Sequence, residues 1–269
     1  MAQEDMAQEG LALEETRHWR RALMWTFAGI FAVALAGGLV GSLTGGGALA
    51  APAGHPPHHT STSSRPASVS SSAAARGARA LLHLSDLPSG WVAGQAPAAT
   101  TRVSPWSSGL ASCVGIPARI AAVAPTKVDS PDFTSANQVF AVEDSVSVFP
   151  TKAVARAEYA AMASDRTAGC MNRVAAPALQ SSMQHEAGSG TTVGGITFAA
   201  LPAAAAAQHV AGFTVTIPIA RGGRVLTVTS TQADFVVGPL LHQVTFNGNG
   251  TAFPGQLEEQ VLSTVQAGR

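Results

Sequence analysis

The residues most able to do chemistry are the two cysteines, Cys113 and Cys170, which lie 57 positions apart. A redox pair would need C-x-x-C spacing, and a nucleophilic thiol would need a partner histidine that the sequence does not identify. A pair of cysteines in an exported domain favours a disulfide, and the N-terminal sequence predicts export. We therefore predict a structural Cys113–Cys170 bridge, for which the loop-entropy relation gives about 4 kcal/mol.

Histidines are the second group that could do chemistry. The stretch 55–59 (HPPHH) could bind a transition metal, but it offers no cysteine or carboxylate ligand and is typical of a solvated proline-rich linker. Four more histidines are scattered along the chain: His83, His185, His209 and His242. Nothing in the sequence assembles a Ser-His-Asp set from them and Asp234. We expect surface or satisfied core positions for these histidines, and we predict neither a metal nor a cofactor.

The sequence lacks the common catalytic and phosphate-binding motifs. It contains no G-x-S-x-G, S-x-x-K, H-E-x-x-H or G-x-x-x-x-G-K. The glycine-rich stretch 188–195 is followed by neither a helical pattern nor a basic residue, which favours a flexible loop over a phosphate cradle. An enzyme with an unrecognised active site is therefore only an alternative.

An apolar run, Ala22–Leu43, contains no charged residue and follows an arginine-rich flank at 17–21. At ~1.5 Å per residue the run spans about 33 Å, enough to cross a hydrocarbon core of roughly 30 Å. The first basic residue beyond it is Arg65. The positive-inside rule therefore keeps the N-terminus in the cytoplasm and exports everything from Gly45 onward.

A cleavable signal peptide is the alternative, because Ala48-Leu49-Ala50 resembles a cleavage site. The apolar run is longer than the roughly 7 to 15 residues of a signal-peptide core, and the segment before it contains five acidic residues. Both features favour a retained anchor. We predict a single-pass protein of the cell membrane with an extracytoplasmic C-terminal domain, or a secreted protein if cleavage occurs near Ala50.

Composition divides the chain further. Residues 45–75 are mostly Gly, Ala, Pro, Ser and Thr, which cannot bury enough apolar surface to offset the entropy of ordering the chain. We predict a cytoplasmic tail (1–21), a transmembrane anchor (22–44), a disordered linker (45–75) and one folded extracytoplasmic domain (76–269). Beyond the anchor, basic residues outnumber acidic ones by only 2, so no nucleic-acid partner is predicted.

Strand patterns are clearest in the second half of the folded domain. Apolar residues alternate with polar ones over 213–219, and RGGR at 221–224 predicts a tight turn into a pairing strand. Alternation also predicts strands over 140–148 and 240–246. The acidic pair Glu143-Asp144 interrupts the first of these and suggests a bulge or a bend.

Helical patterns lie outside these strands, at 78–84, after Pro150 as far as Met162, around Cys170, and after Pro254 to the end of the chain. Successive hairpins with helices segregated from them predict an α+β domain. Its expected form is an antiparallel β-sheet with helices packed on one side.

Several short motifs follow one another along the domain: L-x-x-L-P-x-G-W at 84–91, Cys113, S-P-x-F at 130–133, V-x-x-S-V-x-V-F at 142–149 and Cys170. In this order they resemble the PknH-like extracellular sensor domains of actinobacteria over most of 81–266. The resemblance implies a lone antiparallel sheet with helices on one side and a cleft suited to an unknown ligand. Those sensors carry more than one disulfide and follow a cytoplasmic kinase. Because only 1–21 is predicted to be cytoplasmic here, no kinase activity and no binding residue is carried over.

These features favour a membrane-tethered, sensor-like or ligand-binding module whose partner is a small envelope ligand or an envelope protein. The candidate surface is the sheet face opposite the helices, where Thr214, Thr216, Thr227 and Thr229 are expected to project. An envelope hydrolase and a structural envelope protein are the alternatives. Apolar pocket walls with a few polar groups would favour ligand capture, whereas convergent His, Asp and Ser would favour catalysis.

Overall fold

A computed structural model describes residues 71–95, 108–187, 189–202 and 209–267. Its helices are α1 (Ser71–Ala80), α2 (Ser108–Val114), α3 (Ala118–Ala121), α4 (Lys152–Met162), α5 (Thr167–Cys170), α6 (Ala176–Ala187) and α7 (Gly255–Gln266), with a 3₁₀ turn at Leu84–Asp86 and a π-helical turn at Met171–Ala175. Its strands are β1 (Val92–Ala93), β2 (Thr126–Asp129), β3 (Phe133–Thr134), β4 (Phe140–Val148), β5 (Thr191–Val193), β6 (Thr197–Ala200), β7 (Ala211–Arg221), β8 (Arg224–Val237) and β9 (Leu240–Asn249).

The strands form one antiparallel sheet in the order β1-β3-β4-β9-β8-β7-β5, with β2 also paired to β4 and β6 to β7. Its centre is the continuous meander β7-β8-β9. The turn between β7 and β8 consists of Gly222 and Gly223, whose φ angles are 55° and 76°. Two positive φ values in a two-residue hairpin are the type I′ pattern, which matches the twist of the flanking strands. The α+β class and the late hairpins were predicted correctly.

Helices lie on both faces of the sheet, which corrects the prediction of helices on one side. On one face, the buried side chains of α4 to α6 pack against Val215, Ile217 and Ile219 of β7. On the other face, Val261 and Val265 of α7 pack with the core-facing residues of β4 and β9. Successive side chains of a strand point to opposite faces of the sheet. Where neighbouring positions of a strand are both apolar, each face therefore has its own surface against which helices can pack.

The face that carries α4 to α6 contains the disulfide. Cys113 at the end of α2 is bonded to Cys170 at the end of α5, with Cα atoms 5.7 Å apart. Cys170 is buried in the core that these helices share with the sheet. The predicted bridge is therefore present, and it joins the first helix after residue 107 to the helices that cover the sheet.

The opposite face is covered by α1 and α7 at the β4 side of the sheet. Leu81, directly after α1, packs with Val128, Val146 and Val148 of β2 and β4. The helix α7 begins after Pro254, as the sequence predicts, and buries Val261 against the sheet. The two helices thus lie on one sheet face, and a space remains between them.

Two local predictions differ from the structure. The first helix spans 71–80, so residues 71–75, assigned to the linker by composition, are helical, and the helix expected at 78–84 ends at Ala80. The pair Glu143-Asp144 makes no bulge, because β4 and β9 pair in continuous register from Phe140 to Val148.

The predicted anchor at 22–44 lies outside the described residues. Within the described ranges, no helix has both the length and the apolar composition needed to cross a membrane.

Candidate functional site

A cleft of about 200 Å³ lies between α1 and α7, above the end of the sheet formed by β8 and β9. We call it the α1–α7 cleft. Its apolar walls come from four elements or their ends: Ala80, Leu81, Val237, Leu240 and Val265. Its polar lining residues are Arg76, Arg79, Asp86, His242 and Thr264. Ligand pockets are commonly concave, with apolar walls and convergent polar groups, and this cleft combines both, which makes it the candidate site.

His242 lies at the base of the cleft and is only 1% exposed. Its Nδ1 faces the carboxylate of Asp144, at 3.3 Å from Oδ2 and 3.4 Å from Oδ1. Its ring stacks on Phe235, with centroids 5.0 Å apart and planes inclined by 2°. An ionised carboxylate only accepts hydrogen bonds, so this contact requires an N–H at Nδ1 and leaves Nε2 without a part in it. The stacking on Phe235 and the contact with Asp144 therefore fix the plane of the ring.

Asp144 is fully buried and accepts more than one hydrogen bond. The backbone N–H of Leu82, just after α1, donates to Oδ2 over 3.0 Å. The backbone N–H of Asp144 in turn donates to the Ser130 hydroxyl over 2.9 Å. A buried carboxylate is costly unless hydrogen bonds compensate its lost hydration, and this one is compensated by partners from two segments, the Leu82 N–H and the His242 ring. Asp144 thereby ties the end of α1 to β4 and to His242.

The positions of Asp144 and His242 follow from strand periodicity. Asp144 has the same parity as Val142 and Val146, and His242 has the same parity as Leu240 and Val244. Because β4 and β9 are antiparallel neighbours with Asp144 opposite Val244, the carboxylate and the imidazole are diagonal neighbours on one face. Sequence reasoning missed Asp144 as a partner of His242. The available signal was that each of the two strands carries one polar residue at a core-facing position, which suggests that the two polar residues contact each other.

Arginines from α1 line the outer part of the cleft. Arg76 and Arg79 are three positions apart, which places them on one side of the helix, and both are exposed. Asp86 lies nearby and accepts a hydrogen bond from the backbone N–H of His83 over 2.8 Å. Thr264 of α7 contributes a hydroxyl to the opposite wall. Sequence reasoning missed these residues because nothing in the sequence places α1 and α7 side by side.

The threonines predicted as a candidate surface do share one sheet face. Thr216 and Thr229 are directly opposite in the β7–β8 pair, and Thr227 lies opposite Pro218. Thr227 is exposed, while Thr214, Thr216 and Thr229 are half-buried. They lie on the face opposite α4 to α6, as expected, but none of them lines the α1–α7 cleft.

Within the described residues, Asp234 does not lie beside a histidine, as a Ser-His-Asp set would require. It is fully buried on the α4-to-α6 face, and burial raises its pKa to about 7. The side-chain amide of Gln232 donates to both carboxylate oxygens, at 2.9 and 3.2 Å. The neighbouring Tyr159 of α4 has a raised pKa, first because of burial and second because of the Asp234 charge. Since His242 points to the opposite face, the structure does not bring Asp234 and His242 together.

Other candidates from the sequence also lie apart from the cleft. His83, His185 and His209 are exposed, which agrees with the expectation of surface positions. Residues 191–193 of the glycine-rich stretch form β5 and pair with β7, so that part of the stretch is a strand and not a loop. The stretch 55–59 lies outside the described residues. Within the described ranges, no group of three His, Cys, Asp or Glu side chains could hold a metal ion.

No family model matches the chain, and no curated protein sequence matches it. Among solved structures, the chain is similar to the extracellular domain of PknH from Mycobacterium tuberculosis. The similarity covers 72% of this chain and 97% of that domain, with 16% sequence identity and a TM-score of 0.39. A likeness at this level carries no argument about function.

Proposed function

We propose that this chain is a membrane-tethered, extracytoplasmic module that captures a small ligand in the α1–α7 cleft. The composition of the cleft carries the proposal, because a concave site that combines apolar walls with convergent polar groups is typical of ligand pockets. The Cys113–Cys170 disulfide supports an oxidising compartment. The apolar run Ala22–Leu43 supports the tether.

Acid–base catalysis at His242 is the second candidate, since an imidazole oriented by a carboxylate beside a cleft has the arrangement of a general base. Hydrolysis of the triad type would also need a nucleophile. Thr264 is the hydroxyl-bearing residue in the cleft lining, and its hydroxyl donates to the Gln260 carbonyl over 2.8 Å. That is the ordinary bond of a helical threonine to the preceding turn, so the polar groups favour capture over hydrolysis.

Blocking the cleft tests the proposal. Thr264→Phe should fill the space between α1 and α7, whereas Ser263→Phe adds the same ring at an exposed position of the same helix. The two residues are well matched, because both hydroxyls donate to the Gln260 carbonyl. Ligand-observed NMR of the full chain in neutral detergent micelles should be run with short carboxylates, phosphate esters, amino acids, monosaccharides and small alcohols.

We expect at least one of these probes to bind the wild type and the Ser263→Phe variant but not the Thr264→Phe variant. The absence of any probe whose binding depends on residue 264 would overturn the assignment of the cleft. Turnover of an ester, peptide or glycosidic substrate that is abolished by His242→Ala would move the protein to the hydrolase class.

A further inference from the structure

We infer that the α1–α7 cleft selects a small amphiphilic anion, a carboxylate or phosphate monoester with a short apolar group, an inference that rests on the proposed function of the cleft. The ionisable residues of the lining are two arginines, one aspartate and His242. The apolar residues form the walls. The arginines determine the sign of the ligand's charge, and the apolar walls determine that it also carries an apolar group.

The arginines supply the anion preference. Arg76 and Arg79 lie on the same side of α1, and within the described residues neither guanidinium takes part in an ion pair. A guanidinium donates through a planar fork that matches carboxylate and phosphate oxygens. Asp86 is the one carboxylate among the lining residues that the structure describes, and it accepts a hydrogen bond from the backbone N–H of His83. Two arginines against one aspartate leave an excess of positive charge at the outer part of the cleft.

The interior supplies the apolar preference. The side chain of Asp144 is directed at Leu82 N–H and His242 and does not line the cleft. Leu81, Leu240 and Val265 line the walls. A ligand would thus place its anionic group against the exposed arginines and its apolar group inside. Each methylene that it buries should strengthen binding about fourfold.

The volume limits the size of the ligand. At about 200 Å³ the cleft is smaller than the roughly 300 to 1,000 Å³ of pockets that hold drug-sized molecules. A chain of about four or five carbons is therefore a suitable probe. Butyl phosphate and pentanoate represent the expected class, 1-butanol is the neutral comparison, and butyltrimethylammonium is the cationic comparison.

The test measures the affinity of these four probes for the full chain in neutral detergent micelles by ligand-observed NMR titration. The variant Arg76→Gln/Arg79→Gln removes both charges from the cleft. Its matched control is Arg119→Gln/Arg156→Gln, which removes two exposed arginines from α3 and α4, away from the cleft. Both pairs are exposed, so neither double variant should prevent folding.

We expect the wild type to bind butyl phosphate and pentanoate more tightly than the neutral and cationic probes. Loss of the cleft arginines should weaken the anions at least about tenfold, the effect of one charge-assisted hydrogen bond, and should leave 1-butanol unchanged. Equal affinities for anions and 1-butanol, or equal effects of the two double variants, would overturn the anion preference alone, provided that Thr264→Phe still blocks binding. Binding that is insensitive to Thr264→Phe for every probe would overturn the cleft itself.

Discussion

Asp144 and His242 are separated by 98 positions in the sequence, yet Asp144 Oδ2 lies 3.3 Å from His242 Nδ1 beneath the α1–α7 cleft. The same carboxylate accepts a hydrogen bond from Leu82 N–H. One buried side chain therefore positions both the imidazole at the base of the cleft and the segment that follows α1. The geometry of the candidate site and the stability of the domain depend on the same residue.

Replacing this carboxylate should be costly. Asp144→Ala leaves two buried donors, Leu82 N–H and the His242 ring, without their acceptor, and we expect the free energy of unfolding to fall by about 2 to 4 kcal/mol. Asp144→Asn keeps one carbonyl oxygen and should lose less. Urea unfolding monitored by circular dichroism would measure both. Asp165→Ala, which removes an exposed carboxylate, should stay within about 0.5 kcal/mol of the wild type; equal losses for Asp144→Ala and Asp165→Ala would contradict the role of the buried carboxylate.

Much of the sheet could be predicted from sequence because its signals are local. Apolar alternation over 213–219 and the RGGR turn identified the hairpin of β7 and β8. The Glu143-Asp144 pair was misinterpreted as a bulge because a charged residue at a core-facing position looks like an error in the pattern. In the structure that residue has partners from distant segments, and no local pattern reports them.

The cleft could not be predicted for a related reason. Its lining comes from α1 and the residue after it, the 3₁₀ turn, the adjoining ends of β8 and β9, and α7. Short amphipathic helices at the two ends of a domain give no sequence signal for which sheet face each will cover. The prediction of helices on one side therefore failed, and Arg76 and Arg79 were not recognised as neighbours of Thr264.

The disulfide should contribute a large part of the stability. The Cys113→Ser/Cys170→Ser variant removes the cross-link and should lower the free energy of unfolding by about 2 to 4 kcal/mol. Thermal unfolding with and without a reducing agent provides the control, because reduction should lower the melting temperature of the wild type and leave the variant unchanged. Non-reducing peptide mapping should recover the two cysteine peptides as one linked species, and two alkylatable thiols would contradict the bridge.

The topology prediction concerns the N-terminal segment. A reporter enzyme that is active only after export should be active when fused after Arg269, because the arginines at 17–21 favour a cytoplasmic N-terminus. Replacing Arg17, Arg20 and Arg21 with glutamine should lower reporter activity. Activity confined to a cytoplasmic reporter would contradict the orientation. A mature N-terminus at Ala51 would instead identify a secreted protein.

The stability of the domain should depend on pH through Asp234. Burial raises its pKa to about 7 from the ordinary value of 3.8, so between these pH values the folded protein binds more protons than the unfolded chain. The free energy of unfolding should therefore fall as the pH rises through this window, by at most about 1.4 kcal/mol per pH unit from this one group.

Asp234→Asn isolates that contribution. The asparagine carbonyl can still accept the hydrogen bond from the Gln232 amide, but it cannot ionise. We expect the stability of the variant relative to the wild type to increase steadily between about pH 4 and pH 7 and to level off above that range. Urea unfolding of both proteins at several pH values would measure the difference in their free energies of unfolding. Subtracting the wild-type values cancels the contributions of other carboxyls such as Glu143, whose pKa is raised by burial and by its hydrogen bond with Asp132. Asp165→Asn is the control, because Asp165 is exposed and its replacement should change the free energy of unfolding by a nearly constant amount at every pH. If Asp234→Asn also changed it by a constant amount, Asp234 would be ionised in the folded domain throughout this range, which would contradict the prediction.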